Sequence, residues 1–241
     1  MWTEEKIRAY WQERADKSDN PCHYFNKWQD KFAEKMRLAA LKKQDFEGVQ
    51  KIVDIGCGVG DYTNKISQMT DAYMVGFDFP FNIAIAQKKY AHNPRITFRA
   101  GSVPDGSIAH EVKEADRIII TTVYNHLTDN AREALVGYFT AMKPSAKVYM
   151  LEYFPEKIPE FQRSLGYKNI ETWKDAAERF RRRGLPLIEV RHVNYIDSFF
   201  FHHLGGNHFS YILTIALEKL CRTLHIKNSK YKLLIFSKLN I

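Results

Sequence analysis

The run Val53-Asp54-Ile55-Gly56-Cys57-Gly58-Val59-Gly60 ends a short apolar stretch, Lys51 to Ile55, with a glycine at every second position. A strand that empties into a glycine turn and then a helix leaves few fold classes open. With no Cβ in the way, backbone N–H groups at the positive end of the helix dipole approach a ligand closely. The dinucleotide-binding form of this turn is spaced GxGxxG, whereas here it is GxGxG with Asp54 two residues ahead of Gly56, a different fingerprint. Asp54 is placed to receive a ligand ammonium. Asp78 follows 24 residues later, just after a second apolar run, where a carboxylate can accept both hydroxyls of a ribose. A nucleoside that carries an amino acid meets both demands.

The alternation continues along the chain. Strands are predicted at 51–55, 72–77, 96–99, 117–122 and 147–152, with helices over 62–69, 81–90, 108–114 and 130–142 between them. This βαβ rhythm predicts a doubly wound, mostly parallel sheet in an α/β fold. Ahead of it, residues 3–44 are rich in helix formers with apolar residues at three-to-four spacing, broken at Asp19, Asn20 and Pro21. After Pro155 come a basic helix (171–183) and strands at 186–195 and 231–239, which bring the sheet to seven. The last two strands bracket an insertion, about residues 197–229, far longer than an ordinary connection. It holds His202, His203, His208, a Gly205-Gly206 hinge and a helix of about four turns.

Five successive segments resemble the class I S-adenosylmethionine-dependent methyltransferases, a Rossmann-like family. VDIGCGVG looks like the family's first motif, and VGFDFP, with Asp78, like its second. FRAGSVPD (98–105), RIIITTVYNHLTD and AMKPSAKVYMLE fall at the third motif, the fourth strand and the turn before the fifth. The resemblance implies S-adenosyl-L-methionine as cofactor and S-adenosyl-L-homocysteine as product. It places Gly56, Cys57, Gly58 and Gly60 along the methionine moiety, with Asp54, and has Asp78 and Phe79 at the ribose. Gly101, Ser102 and Val103 would then flank the adenine, and Thr122, Val123 and Tyr124 would face the sulfonium. Ser102 stands where many members have an acid for the adenine amino group, which leaves that role to backbone groups or to Asp105. The expected organisation is one methyltransferase domain over 1–241: a helical cap (1–48), a cofactor-binding core (49–155) and a basic acceptor-side region (156–241).

Transfer from a sulfonium is an in-line displacement, so alignment of the reactants supplies much of the catalysis, ~7–11 kcal/mol in favourable cases. An alcohol or phenol acceptor must also lose its proton, a task suited to a neutral imidazole. His126, His203 and His208 are the candidate bases, with Tyr124 beside them. His126 equally suits packing or capping of the next helix. The spacing HHxxxxH with no carboxylate near it matches no usual zinc pattern, and no metal is expected. Trp11, Arg14, Tyr24 and Lys27 are candidate lid residues over the cofactor, and amphipathic packing explains them as well.

Charge bears on the acceptor. Lys+Arg balance Asp+Glu at 21 each over residues 1–156 but outnumber them 15 to 7 over 157–241, so the whole excess of +8 lies in the last third. An anionic partner is implied there: a phosphate-bearing metabolite, an acidic lipid headgroup or RNA. A small-molecule acceptor, such as a sugar, phenol or lipid-linked metabolite, matches the Phe- and His-rich insertion better than RNA does. The motif of exocyclic amine methylation is missing, and the exit of strand four reads Thr122-Val123-Tyr124-Asn125. The remaining alternatives are RNA methylation, cofactor binding without catalysis, and an insertion helix that lies on a membrane surface. The charged N-terminus, the lack of a long apolar window and three unpaired cysteines (Cys22, Cys57, Cys221) predict a cytoplasmic protein.

Overall fold

The computed structural model describes residues 3–17, 27–155, 170–194, 207–224, 229 and 231–238. His202, His203, Tyr24, Cys22 and the Gly205-Gly206 hinge lie outside the described residues, as does the side chain of Lys27. In chain order the elements are α1 (Glu4–Lys17), α2 (Lys27–Ala40), β1 (Lys51–Ile55), α3 (Asp61–Ser67), β2 (Tyr73–Asp78), α4 (Pro80–Tyr90) and β3 (Ile96–Ala100). Then follow α5 (Ala109–Glu114), β4 (Arg117–Thr121), α6 (Asp129–Thr140), β5 (Lys147–Tyr153), α7 (Trp173–Arg181), β6 (Leu187–Asn194), α8 (His208–Thr223) and β7 (Tyr231–Ser237).

The seven strands form one sheet in the order β3-β2-β1-β4-β5-β7-β6. Strands β1 to β5 pair in parallel, and β7 runs antiparallel to both β5 and β6, which makes the sheet mixed at that edge. Because side chains alternate along a strand, β4 sends Ile118 and Ile120 to one face and Ile119 to the other, all of them buried. One face is covered by Val112 of α5, Leu135 and Phe139 of α6 and Phe180 of α7. The other is covered by Phe32 and Met36 of α2, Ile66 of α3 and Ile83 of α4, with Tyr211 and Ile215 of α8. Burial on both faces is why the central strands read as unbroken apolar runs.

Local chemistry sets the helix starts. Pro80 opens α4, where a missing N–H costs nothing, and Thr128 and Thr172 cap α6 and α7 through their side-chain oxygens. Asn207 and Ser210 form a reciprocal box at the start of α8. Thr122, expected inside the fourth strand, instead follows it with φ of 55°, a left-handed backbone uncommon for a β-branched residue.

The basic helix is not a free cationic face. Arg179 bonds Glu171 and Glu133, Arg183 bonds Glu133, and Arg181 and Arg182 both bond Glu178. Four arginines of the basic stretch expected at 171–183 are thus engaged with the protein's own carboxylates. Among the described residues, no helix is long and apolar enough to cross a membrane.

Candidate active site

The order of the sheet reverses between β1 and β4, and at such a switch point the loops beyond the carboxyl ends part to leave a crevice. A cavity of about 520 Å³ opens there, lined by the ends of β1, β2 and β4 and roofed by Ile7 and Trp11 of α1 and Ala33 and Arg37 of α2. That volume suits a small ligand or cofactor. The helical cap therefore closes over the carboxyl end of the sheet, and of the candidate lid residues Trp11 lines the cavity, while Arg14 stacks on Tyr10 and Trp11.

The glycine turn and Asp78 are tied together at the cavity floor. One carboxylate oxygen of Asp78 accepts the N–H of Gly58 at 2.8 Å; the other accepts the N–H of Phe79 and the side-chain amide of Asn82, each at 2.7 Å. Burial holds the Asp78 carboxyl above its usual range, against the opposing pull of these three donors. Asp54 is buried beneath, where its carboxylate accepts from the Thr63 hydroxyl at 2.6 Å. Burial pushes Asp54 up to about 7, against the Thr63 hydrogen bond and with the added repulsion of Asp78.

Gly56 has φ of +76°, and a Cβ there would stand 2.1 Å from Val123 Cγ2, so only glycine lets β1 and the β4 exit approach. Gly60 differs from its expected role. It does not line the cavity; it caps α3 with φ of +82°, and a Cβ there would strike the Phe98 ring at 2.6 Å. The other expected cofactor residues, Asp54, Gly56, Cys57, Gly58, Asp78, Phe79, Gly101, Ser102, Val103, Thr122 and Val123, all line the cavity. Asp105 is taken up in its own loop, where it accepts the N–H groups of Ser102 and Ser107 at 3.1 and 2.8 Å.

The candidate bases separate. His126 is buried, lines the cavity and meets the Trp11 ring edge-on at 5.5 Å between centroids. Tyr124 is corrected: it is fully buried away from the cavity, its hydroxyl donates to Glu171 at 2.7 Å, and its ring packs on Phe154 and Phe180. Burial and the Glu171 charge raise its phenol well above the ordinary value. His208 is corrected too, since it sits exposed at the start of α8 against Trp28, with ring centroids 4.7 Å apart, outside the cavity lining. Glu152 is also structural, accepting the N–H groups of Asn125 and Tyr153 at 3.2 and 2.8 Å.

Three residues that the sequence did not mark complete the wall. Tyr62 Oη, Asn82 Oδ1 and Thr121 Oγ1 are buried with no hydrogen-bond partner among the described residues, and each belongs to a residue lining the cavity. Buried polar atoms without partners are rare, and three around one cavity mark a place where a polar ligand completes the bonding. The donor and acceptor set fits the amino-acid-bearing nucleoside expected from the glycine turn: carboxylates and an amide carbonyl for hydroxyls and ammonium, hydroxyls for a carboxylate.

The fold, this site and a family match over most of the chain define a Rossmann-like methyltransferase domain. The chain belongs to the O-methyltransferase domain family, whose family model matches residues 7–171. Among solved structures, a mitomycin 7-O-methyltransferase aligns with a TM-score of 0.58 at 14% identity, over 86% of this chain and 53% of its own. The N-methyltransferase NodS of Bradyrhizobium japonicum, in complex with S-adenosyl-L-homocysteine, aligns with 0.64 at 13% identity, over 96% and 99%. Human N-acetylserotonin methyltransferase, in complex with S-adenosylmethionine, aligns with 0.63 at 14% identity, over 99% and 60%. At such identities the likeness is one of fold, and the chain spans 53% and 60% of the length of the two longer proteins. No curated protein matches the chain by sequence.

Proposed function

We propose that the protein transfers a methyl group from S-adenosylmethionine to a hydroxyl of a small-molecule acceptor. The observation that carries the reading is the cavity floor, where Asp78, fixed by the Gly58 N–H, stands among the unsatisfied atoms of Asn82, Tyr62 and Thr121. The bound cofactor would supply an activated methyl group on a sulfonium. An ionised carboxylate offers about four acceptor sites, and three on Asp78 are used within the protein. Asp78 therefore holds the ribose together with Asn82 Oδ1, which takes the second hydroxyl. Tyr62 Oη, near the positive charge of Arg37, faces the carboxylate end, and Asp54 receives the ammonium.

His126 takes the acceptor proton. It lies on the short turn beyond β4, on the cavity wall beside Val123 and Leu127, and Trp11 shuts the same corner from water. The lining carries Glu4, Asp30, Glu34, Asp54, Asp61 and Asp78 against Lys31, Arg37 and Lys65. This acidic wall favours a neutral hydroxyl compound over the phosphate-bearing acceptor suggested by the basic C-terminal third. The internal pairing of Arg179, Arg181, Arg182 and Arg183 likewise disfavours RNA.

The test has two stages. Calorimetric titration with S-adenosyl-L-homocysteine, for the intact protein and Asp78→Ala, is expected to show binding that the substitution weakens at least tenfold. Transfer of labelled methyl from S-adenosylmethionine is then followed across neutral phenols and sugar alcohols, their phosphorylated counterparts and bulk RNA. No binding by the intact protein overturns the reading, and binding without turnover on any acceptor favours a non-catalytic cofactor-binding protein.

A further inference from the structure

Helix α8 (His208–Thr223) packs on the core through Tyr211 and Ile215 and carries a second set of apolar residues on its outer side. The side it turns to the protein buries Ser210, Thr214 and Glu218, all 1% exposed or less, while Phe209, Ile212, Leu220 and Leu224 are 71, 54, 52 and 62% exposed. At 100° per residue, Ile212, Thr223, Ala216, Phe209, Leu220, Leu213 and Leu224 fall in sequence around one arc of about 120°, apolar but for Thr223 near its edge. The exposure is therefore one continuous apolar face and not a scatter of single side chains. On the inner side, Thr214 bonds the Ser210 carbonyl at 2.7 Å, Glu218 pairs with Arg222 at 3.4 Å, and Arg222 donates to the Val193 carbonyl at 2.6 Å. The first two lie within the helix; the bond to Val193, with Tyr211 and Ile215 packed on the core, fixes its rotation, so the exposed apolar arc is held outward.

We propose that α8 seats the protein on an anionic membrane surface, with this apolar arc entering the headgroup boundary. Charge favours a lipid surface. The exposed charged side chain bordering the arc is Lys219, and the acid of this helix, Glu218, is turned inward. From residue 207 to the end the sequence carries six basic residues against Glu218 alone; Arg222 and Lys232 are taken up inside the protein, and a basic excess remains without them in Lys219, Lys227, Lys230 and Lys238. A helix with Phe and Leu on one arc and a cationic border is the form that lies in a bilayer interface. A second copy of the chain suits the face less well. Sixteen residues give a strip about 24 Å by 10 Å, roughly 240 Å², against ~800 Å² per partner in a stable dimer. The proposal does not rest on the methyl-transfer reading.

Flotation of the full chain with phosphatidylcholine vesicles, with and without phosphatidylserine, tests it. The intact protein is expected to float with the phosphatidylserine vesicles, and the bound fraction to fall as salt rises. Phe209→Ser combined with Leu220→Ser is expected to lower the partition at least tenfold while leaving the melting temperature and homocysteine-cofactor binding unchanged. Lys219→Glu is expected to weaken binding to the anionic vesicles alone. Failure of the intact protein to float, or equal flotation of the double variant, overturns the proposal. So does a concentration-dependent dimer in solution that the double variant abolishes, which would assign the face to a second copy.

Discussion

The carboxylate of Asp78 accepts the backbone N–H of Gly58 at 2.8 Å, so the acid at the end of β2 holds the glycine turn at the end of β1. Two features that read in the sequence as separate ligand contacts are thus one assembly. Asp78→Asn keeps the volume but replaces an acceptor oxygen by a donor, which faces the N–H of Gly58 or Phe79. The expected result is a loss of S-adenosyl-L-homocysteine affinity of about 1–3 kcal/mol. Asn82→Ala removes the second acceptor proposed for the ribose and is expected to weaken binding by about 1 kcal/mol. Calorimetry on both variants checks this, and unchanged affinity in Asn82→Ala would return both hydroxyls to Asp78.

Gly56 has no room for a side chain, since the Val123 side chain fills the space that a Cβ would take. Gly56→Ala combines a left-handed φ, about 1–2 kcal/mol for an L-residue, with a Cβ forced against Val123 at 2.1 Å. Urea unfolding is expected to show a loss of about 2–4 kcal/mol and a reduced cofactor affinity. Adding Val123→Ala removes both γ-carbons and should recover part of the stability; the φ penalty stays. If the double variant recovers nothing, the Val123 contact does not set the cost.

The first strand, the glycine turn and β4 were legible because their signals are local. Ile118, Ile119 and Ile120 must be buried on both faces, and three β-branched residues in a row say so without tertiary information. Asn82 and Tyr62 were not legible, because an Asn on α4 and a Tyr on α3 become site residues only once both helices dock back on the turn. Tyr124 misled for a related reason. Nothing in Thr122-Val123-Tyr124 announces the φ of 55° at Thr122 or the 3₁₀ turn over Tyr124–His126, after which Tyr124 lies in the core and His126 on the cavity wall. Arg179 and Arg183 read as part of a cationic face because their partners, Asp129 and Glu133, come from α6, some fifty residues earlier.

Tyr124 and His126 are therefore expected to respond oppositely to substitution. Tyr124→Phe loses a hydrogen bond to Glu171, which keeps Arg179 at 3.1 Å, so stability should fall by about 1 kcal/mol with transfer per folded molecule unchanged. His126→Asn should lower transfer to a hydroxyl acceptor by about 10²–10⁴ while cofactor affinity holds. Thermal melts, calorimetry and initial rates on both proteins separate the roles. A large rate loss in Tyr124→Phe with no change in melting would restore the phenol to the chemistry.

Asp54 gives the site a pH dependence with a fixed sign. Its folded carboxyl is raised to about 7 from 3.8, so the folded protein favours the neutral acid. The stability from this group is full below about pH 4 and is lost as pH rises through about 7. A cationic ligand reverses the preference, because an ammonium beside Asp54 favours the ionised form. Affinity for the cofactor should therefore climb from about pH 5 to about pH 7, by at most about tenfold per unit, and then level off. Asp54→Asn should abolish both trends, with a weaker, pH-independent affinity and a flatter stability profile over the same window. Calorimetry in two buffers of different ionisation enthalpy reads the proton released on binding to the intact protein. A flat affinity profile with no proton release would mean that Asp54 stays neutral in the complex and that the ammonium is held elsewhere.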